Sequence, residues 1–258
     1  MSVQMFAMTC GWLTGPLAAF LEGESGRIRV PVPCYLIDHP KGKVLFDSGL
    51  HVDTQSDPAG RLGLAAKVYE VEFRPGEEVS ARLAALDVDA NGISFLINSH
   101  LHFDHTGGNE QVPNATLVVQ QREWTAGSEP DQIEANYYNP EDYDLGHAVL
   151  EIEGEHDLFG DGSVVCVPTW GHTPGHQSLR VRTHGGEVVL AADACYLRRT
   201  LEDLHLPATV HDRQAMRASL LKLRMLRASG ARIFYGHDPD FWASVPQLPQ
   251  PALEPAPS

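Results

Sequence analysis

Residues 93–109 read ISFLINSHLHFDHTGGN, and the two halves of that stretch ask for different structures. Ile93 to Asn98 is a short apolar run, the composition of a strand. His100, His102, Asp104 and His105 then crowd into six positions ahead of a Gly-Gly pair. Where a strand gives way to a turn, such side chains can be aimed at one point, and extended backbone puts His100 and His102 on the same side. Imidazole nitrogen and carboxylate oxygen are the donors that borderline divalent cations prefer. A solvent-facing polar turn accounts for one histidine far more easily than for three with an aspartate among them.

Three further places along the chain supply matching donors. Trp170 to Ser178 reads WGHTPGHQS, where a Pro-Gly turn separates His172 from His176, so the two cannot act as neighbours on one helix face. His172 reads as a metal ligand and His176 as a residue that hydrogen-bonds within the turn or orients a ligand. The apolar strand EVVLAAD ends at Asp193, and ARIFY is followed by Gly236 and His237. Each alone would be a common strand-end residue; with the two histidine clusters they complete a set of seven.

Around this set the chain reads as one α/β domain. Apolar segments at Arg27 to Asp38, Lys43 to Phe46, Ile93 to Asn98, Thr116 to Gln120, Gly162 to Val167, Gln177 to Arg182, Glu187 to Ala191 and Arg232 to Tyr235 are expected strands. Helical spacing appears in Glu77 to Leu86 and in Asp212 to Ala228, both expected to pack on a core. Strands interspersed with helices point to sheets covered by helices. Residues 130–145 are polar and aromatic-rich without a period, and are expected to form a long surface loop. The domain is expected to span residues 1–245, with a Pro-rich tail over 246–258.

The net charge of −15 repels a phosphate backbone, so nucleic acid is not an expected partner. Residues 1–21 carry no Lys or Arg and are broken by Gly11, Gly15 and Pro16, unlike a secretion signal, and no apolar run reaches the length a bilayer requires. No membrane partner is expected. Cys10, Cys34, Cys166 and Cys195 are scattered without CxxC spacing, which suits reduced thiols and a cytoplasmic location.

The seven donors, in this order and in these local contexts, resemble the metallo-β-lactamase superfamily over about Val30 to His237. The resemblance implies an αβ/βα sandwich holding two metal ions. His100, His102 and His172 would bind the first ion, and Asp104, His105 and His237 the second, with Asp193 and a hydroxide between them. Two aspartates and a hydroxide offset three of the four positive charges, leaving an electrophilic site that lowers the pKa of water to about 7. Zn2+ is the first choice for an all-nitrogen and oxygen set, with Mn2+, Co2+ and Fe2+ able to use the same donors. Asp47, in VLFDSG, is either a residue that orients a ligand or a turn-initiating aspartate, two readings of equal weight.

Departures from other branches narrow the resemblance. A histidine, not a glutamate, stands at position 102, unlike the flavodiiron oxidoreductases. Asp193 occupies the place of the cysteine in the best-known zinc β-lactamases, while Cys195 reads as a packing residue. The stretch after His237 is short for the glutathione-recognising domain of glyoxalase II. The N-acyl homoserine lactonases, quorum-quenching enzymes of bacteria, are the family this chain looks like, on PVPCYLIDHP, SHLHFDHTGGN, GHTPGHQSL, DACY and FYGHD.

That likeness implies hydrolysis of a small-molecule lactone, with Tyr196 on the ring carbonyl and Asp104 relaying a proton to the leaving oxygen. It also implies a homodimer. Phe103, with Met8, Trp12 and Leu13 of an N-terminal loop and Leu64 of the loop over Ala59 to Tyr69, is expected to line an acyl groove. A relative's chemistry on pyridoxolactone, an aryl ester or a phosphotriester is the alternative.

Overall fold

The computed structural model describes residues 3–253. Among them, seven strands form one sheet: β1 (Gln4–Pro16), β2 (Arg27–His39), β3 (Gly42–Phe46), β4 (Glu70–Glu72), β5 (Ile93–Ile97), β6 (Thr116–Gln120) and β7 (Val149–Ile152), in the order β4-β1-β2-β3-β5-β6-β7. Five form the second: β8 (His156–Asp157), β9 (Val164–Pro168), β10 (Gln177–Thr183), β11 (Gly186–Leu190) and β12 (Arg232–Phe234), in the order β12-β11-β10-β9-β8.

β3, β5, β6 and β7 run parallel. Parallel neighbours need crossovers that return the chain over a face of the sheet. The helix Val79–Ala84 lies on one such path, burying Val79 and Leu83 against Leu36, Leu45, Leu96 and Leu117. On the opposite face, Tyr35, Val44, Phe46, Ile97 and Val118 meet Cys166, Leu179, Val188, Leu190 and Phe234 of the second sheet. The outer face of that second sheet, with Val189 and Ile233, is covered by the helix Arg213–Ala228 through Met216, Leu220 and Leu223. The layers therefore run helix, sheet, sheet, helix, the expected αβ/βα sandwich. Burial on both faces is why the inner strands read as unbroken apolar runs.

Three sequence expectations need correction. Residues 4–16, read as a loop, are β1, paired along β2 with a register shift between Thr9 and Trp12. The stretch 130–145 begins with a helix (Pro130–Ala135) and is only in part a surface loop, Tyr137 being 71% exposed while its neighbour Tyr138 turns inward. Tyr138 and Tyr143 are buried with Leu101 and Ala126, their hydroxyls donating to Glu123 (2.6 Å) and to the Gly127 carbonyl (2.7 Å). Its aromatic residues serve different contacts, so no period marks them. Finally, the Pro-rich stretch after Val245 lies along β1 as far as the described residues go. The amides of Leu248 and Ala252 donate to the carbonyls of Ala7 and Met5, and Ala252 and Leu253 join the inter-sheet core. Residues 254–258 of the expected tail lie outside the described residues.

Ending the chain after Val245 should therefore lower its stability to urea by at least about 2 kcal/mol, the lower end for emptying a large buried apolar site. The reading is the shift in denaturation midpoint at unchanged slope. A midpoint equal to that of the full chain would show that this stretch adds nothing to the core.

Candidate metal centre

Strands of both sheets finish at the same end of the sandwich, and the donors lie where they stop. His100 to His105 follow β5, His172 follows β9, Asp193 follows β11 and His237 follows β12. The loop carrying His172 is pressed onto the start of the helix Arg213–Ala228: at Gly171 (φ 126°) a Cβ would come 2.0 Å from the Met216 amide nitrogen. Only glycine fits there.

Two groups of donor atoms result, one of His100, His102, His172 and Asp193, the other of Asp104, His105 and His237. In the first, His102 Nδ1 lies 2.8 Å from His100 Nε2 and 3.0 Å from His172 Nε2, which is 3.2 Å from His100 Nε2. Asp193 joins the groups: Oδ2 is 3.3 Å from His172 Nε2, and Oδ1 is 3.0 Å from His237 Nε2 and 3.3 Å from His105 Nε2. Asp104 Oδ2 is 3.6 Å from His105 Nε2 and 3.7 Å from His237 Nε2.

The outward-facing ring nitrogens test whether cations fit here. His102 Nε2 donates to the Asn136 carbonyl, His105 Nδ1 to Asp47 and His237 Nδ1 to the Pro31 carbonyl, each at 2.8 Å. The Ser99 hydroxyl donates to Asp47 and so accepts from His100 Nδ1 at 3.0 Å. A ring that donates outward presents a lone pair inward when neutral. Lone pairs thus face one another at about 3 Å, and both His105 Nε2 and Asp193 Oδ1 are buried with no hydrogen-bond partner among the described residues. In the first group, where the rings are neutral, this arrangement is repulsive until a cation sits among the donors, and the nitrogen and oxygen set suits divalent ions.

Electrostatics point the same way. Burial holds His100 and His172 well below the ordinary histidine range, so both rings stay neutral, the form that could bind a cation. Burial would also lower His105, but the carboxylates of Asp193, Asp104 and Asp47 outweigh it and raise the imidazole well above its usual value. Without a metal, the second group holds a proton that a cation must displace.

Other expected residues separate clearly. His176 belongs to neither group: Nδ1 lies 2.9 Å from the Thr169 hydroxyl, and Nε2 accepts the Asp193 backbone N–H at 3.1 Å. Asp47 accepts from Ser99 and from the His105 ring while standing in a left-handed turn backbone, φ 56°, so the contacts of both its readings are present. Cys195 is buried in the core under the long helix. Tyr196 stands against the first group, its hydroxyl 3.3 Å from His172 Nδ1.

Phe103 and Leu13 do lie together, packed with Phe20, Val30, Tyr69 and Tyr196. Met8 does not: it is fully buried among Cys10, Leu36, Leu45 and Leu83, on the face away from this cluster. Trp12 also points elsewhere, under the Arg29 guanidinium (3.8 Å) and beside Thr9, Arg82 and Gln247. Leu64 is 71% exposed, in the segment that Arg61 ties to Glu141 and Asp142. Phe20 and the inward role of Tyr69 carried no sequence signal, being single aromatics in irregular segments. Glu123, buried behind His100 and His172, gave none either, because QREWTA reads as an ordinary helix start.

A family model described as the metallo-beta-lactamase superfamily matches residues 27–237. The N-acyl homoserine lactonase AttM of Azorhizobium caulinodans is 36% identical over 235 residues, 88% of this chain and 89% of that protein. The N-acyl homoserine lactonase AiiA of Bacillus thuringiensis subsp. kurstaki is 28% identical over 214 residues, 82% of each chain. A solved N-acyl homoserine lactone hydrolase, with N-hexanoyl-L-homoserine bound at its catalytic metal centre, superposes with a TM-score of 0.87 at 26% identity, covering 97% of this chain and 100% of that one.

Proposed function

We propose that this chain, which belongs to the metallo-β-lactamase superfamily and within it to the N-acyl homoserine lactonase family, opens the lactone ring of N-acyl homoserine lactones by hydrolysis. The observation that carries the reading is the convergence of seven donors, with orphaned inner atoms, beside Tyr196 and an apolar wall.

His100, His102 and His172 would hold one ion and Asp104, His105 and His237 the other, with one Asp193 oxygen turned to each. Divalent ions held this way polarise a carbonyl and bring the pKa of water to about 7. Zn2+ fits the donors best, and Mn2+, Co2+ or Fe2+ would use the same set. The protein supplies the rest. His172 Nδ1–H can donate to the Tyr196 oxygen, which leaves the tyrosine proton free for the ring carbonyl as charge develops on it. Burial holds that phenol well above its usual pKa, so it stays a donor. Asp104 would carry a proton to the ring oxygen as the bond breaks, through a carboxylate oxygen left free of the metal. The wall of Phe103, Leu13, Phe20 and Tyr69 takes the acyl chain, each buried methylene adding about 0.8 kcal/mol. Among the described residues no helix is long and apolar enough to cross a membrane, and four buried free cysteines suit a reducing cytoplasm.

The test is a panel of hexanoyl and decanoyl homoserine lactones, pyridoxolactone, an aryl ester and a phosphotriester, assayed on metal-loaded and chelated protein. The acyl lactones should show the highest kcat/KM, and chelation should abolish it. A higher kcat/KM on any of the other three would overturn the assignment.

Tyr196→Phe removes one hydroxyl and leaves the donors in place. Because a bound metal would share the carbonyl, we expect a loss of about 1–2 kcal/mol in kcat/KM on the lactone, less than for a lone oxyanion donor. A reactive aryl ester, with its good leaving group, should lose less. An equal or larger loss on the aryl ester at equal metal loading would count against a lactone in this position.

A further inference from the structure

Glu123 belongs to neither donor group, yet it is fully buried. It sits in the helix Gln121–Ala126, which follows β6 directly. Four donors converge on its carboxylate. Oε1 accepts from the Leu101 amide (3.1 Å) and the Tyr138 hydroxyl (2.6 Å); Oε2 accepts from the Thr173 hydroxyl (2.9 Å) and the Gly175 amide (2.7 Å).

The segments that supply those donors are the ones that carry the first group. Leu101 lies between His100 and His102. Thr173 follows His172, and Gly175 precedes His176, whose ring holds the Asp193 amide. Tyr138 is two residues from Asn136, whose carbonyl fixes His102. The second group leans on other supports, His105 on Asp47 and His237 on Pro31. The packing at Glu123 is close, since a Cβ at Gly175 would come 2.3 Å from its backbone nitrogen.

We infer that Glu123 is the positioning residue of the first group, a buried carboxylate that sets three separate segments at the spacing His100, His102 and His172 need to share one cation. The inference rests on the proposed metal centre. A carboxylate serving only general packing would not favour one group over the other.

Glu123→Gln keeps the shape but cannot keep the contacts. Each carboxylate oxygen receives one hydroxyl and one backbone N–H. A hydroxyl can turn to accept, but an N–H cannot, so the new amide NH2 confronts a backbone N–H whichever way it is flipped. The experiment is a Co2+ titration of metal-free protein followed by visible absorbance. Two binding phases are expected in the parent protein, identified by which one disappears in His172→Ala and which in His237→Ala.

In Glu123→Gln the phase that depends on His172 should weaken about 10- to 100-fold, while the phase that depends on His237 stays as in the parent. Thr173→Val, which deletes one of the four donors, should weaken the same phase by a smaller factor. It also decides the matter should Glu123→Gln fail to fold. Unchanged phases, or equal weakening of both, in whichever variant folds would overturn the inference. Parent protein that takes up no Co2+ would instead overturn the metal centre itself.

Discussion

Asp193→Asn should lower kcat/KM on an acyl homoserine lactone about 100- to 1000-fold, an effect of the size seen when one strong electrostatic contact is lost from a transition state. The side chain turns one oxygen to each donor group, Oδ2 to His172 and Oδ1 to His237 and His105. An asparagine of the same shape can offer an oxygen to only one of them. Its NH2 would then face the cation proposed for the other group, and the negative charge that would offset two neighbouring cations is gone. Metal content should fall from two ions per chain toward one. The backbone N–H that His176 accepts is untouched, so the far-ultraviolet spectrum should match the parent's. Metal analysis after gel filtration, with lactone turnover on the same sample, reads both effects. A variant with two metals and parental turnover would show that Asp193 does not link the sites.

Asp47→Ala should cost about 3–5 kcal/mol of folding stability, the range for removing one partner of a buried charged contact. The carboxylate accepts the Ser99 amide at 2.7 Å, the Ser99 hydroxyl at 2.8 Å and the His105 ring at 2.8 Å, all in a buried setting. Alanine would leave those donors without an acceptor and would also have to adopt the left-handed backbone of this position, φ 56°. Asp47→Asn separates the two consequences. Asparagine tolerates that backbone, but its NH2 cannot accept from both Ser99 and His105. His105 then has reason to move its proton to the inward nitrogen, where it blocks a ligand. We expect the asparagine variant to lose less stability than alanine in urea and still bind the second metal about 10- to 100-fold more weakly. Parental affinity for both metals in Asp47→Asn would refute this account of His105.

The order of sheets and helices was legible wherever strands are buried on both faces, because continuous apolar runs such as those of β5, β6 and β11 have no other economical explanation. The donors could be read for a related reason: they stand directly after those runs, where a strand end aims several side chains together. What failed to show was structure without a period. β1 looked like a loop because Gly11, Gly15 and Pro16 interrupt it. The register shift between Thr9 and Trp12 breaks the alternation by which one assigns faces, so nothing in the sequence turns Met8 and Trp12 away from the groove. Leu13, beyond the shift, does reach the apolar wall. Glu123 and Tyr138 were invisible because their partners are more than ten residues away in sequence.

Each proposed ion takes donors from both sheets, and the last donor, His237, follows β12. During synthesis, therefore, the histidines of the first cluster emerge more than a hundred residues before the centre can close. Early capture by that cluster alone would use an incomplete, flexible set, whereas the full set forms only after the second sheet has docked on the first. Metallation of the proposed centre would then be the closing event of biogenesis. Which ion fills the pair then depends on what is exchangeable in the compartment where docking finishes, as much as on the affinity order of the donors. Protein recovered from different expression hosts or growth media should accordingly share one architecture and differ in its metal.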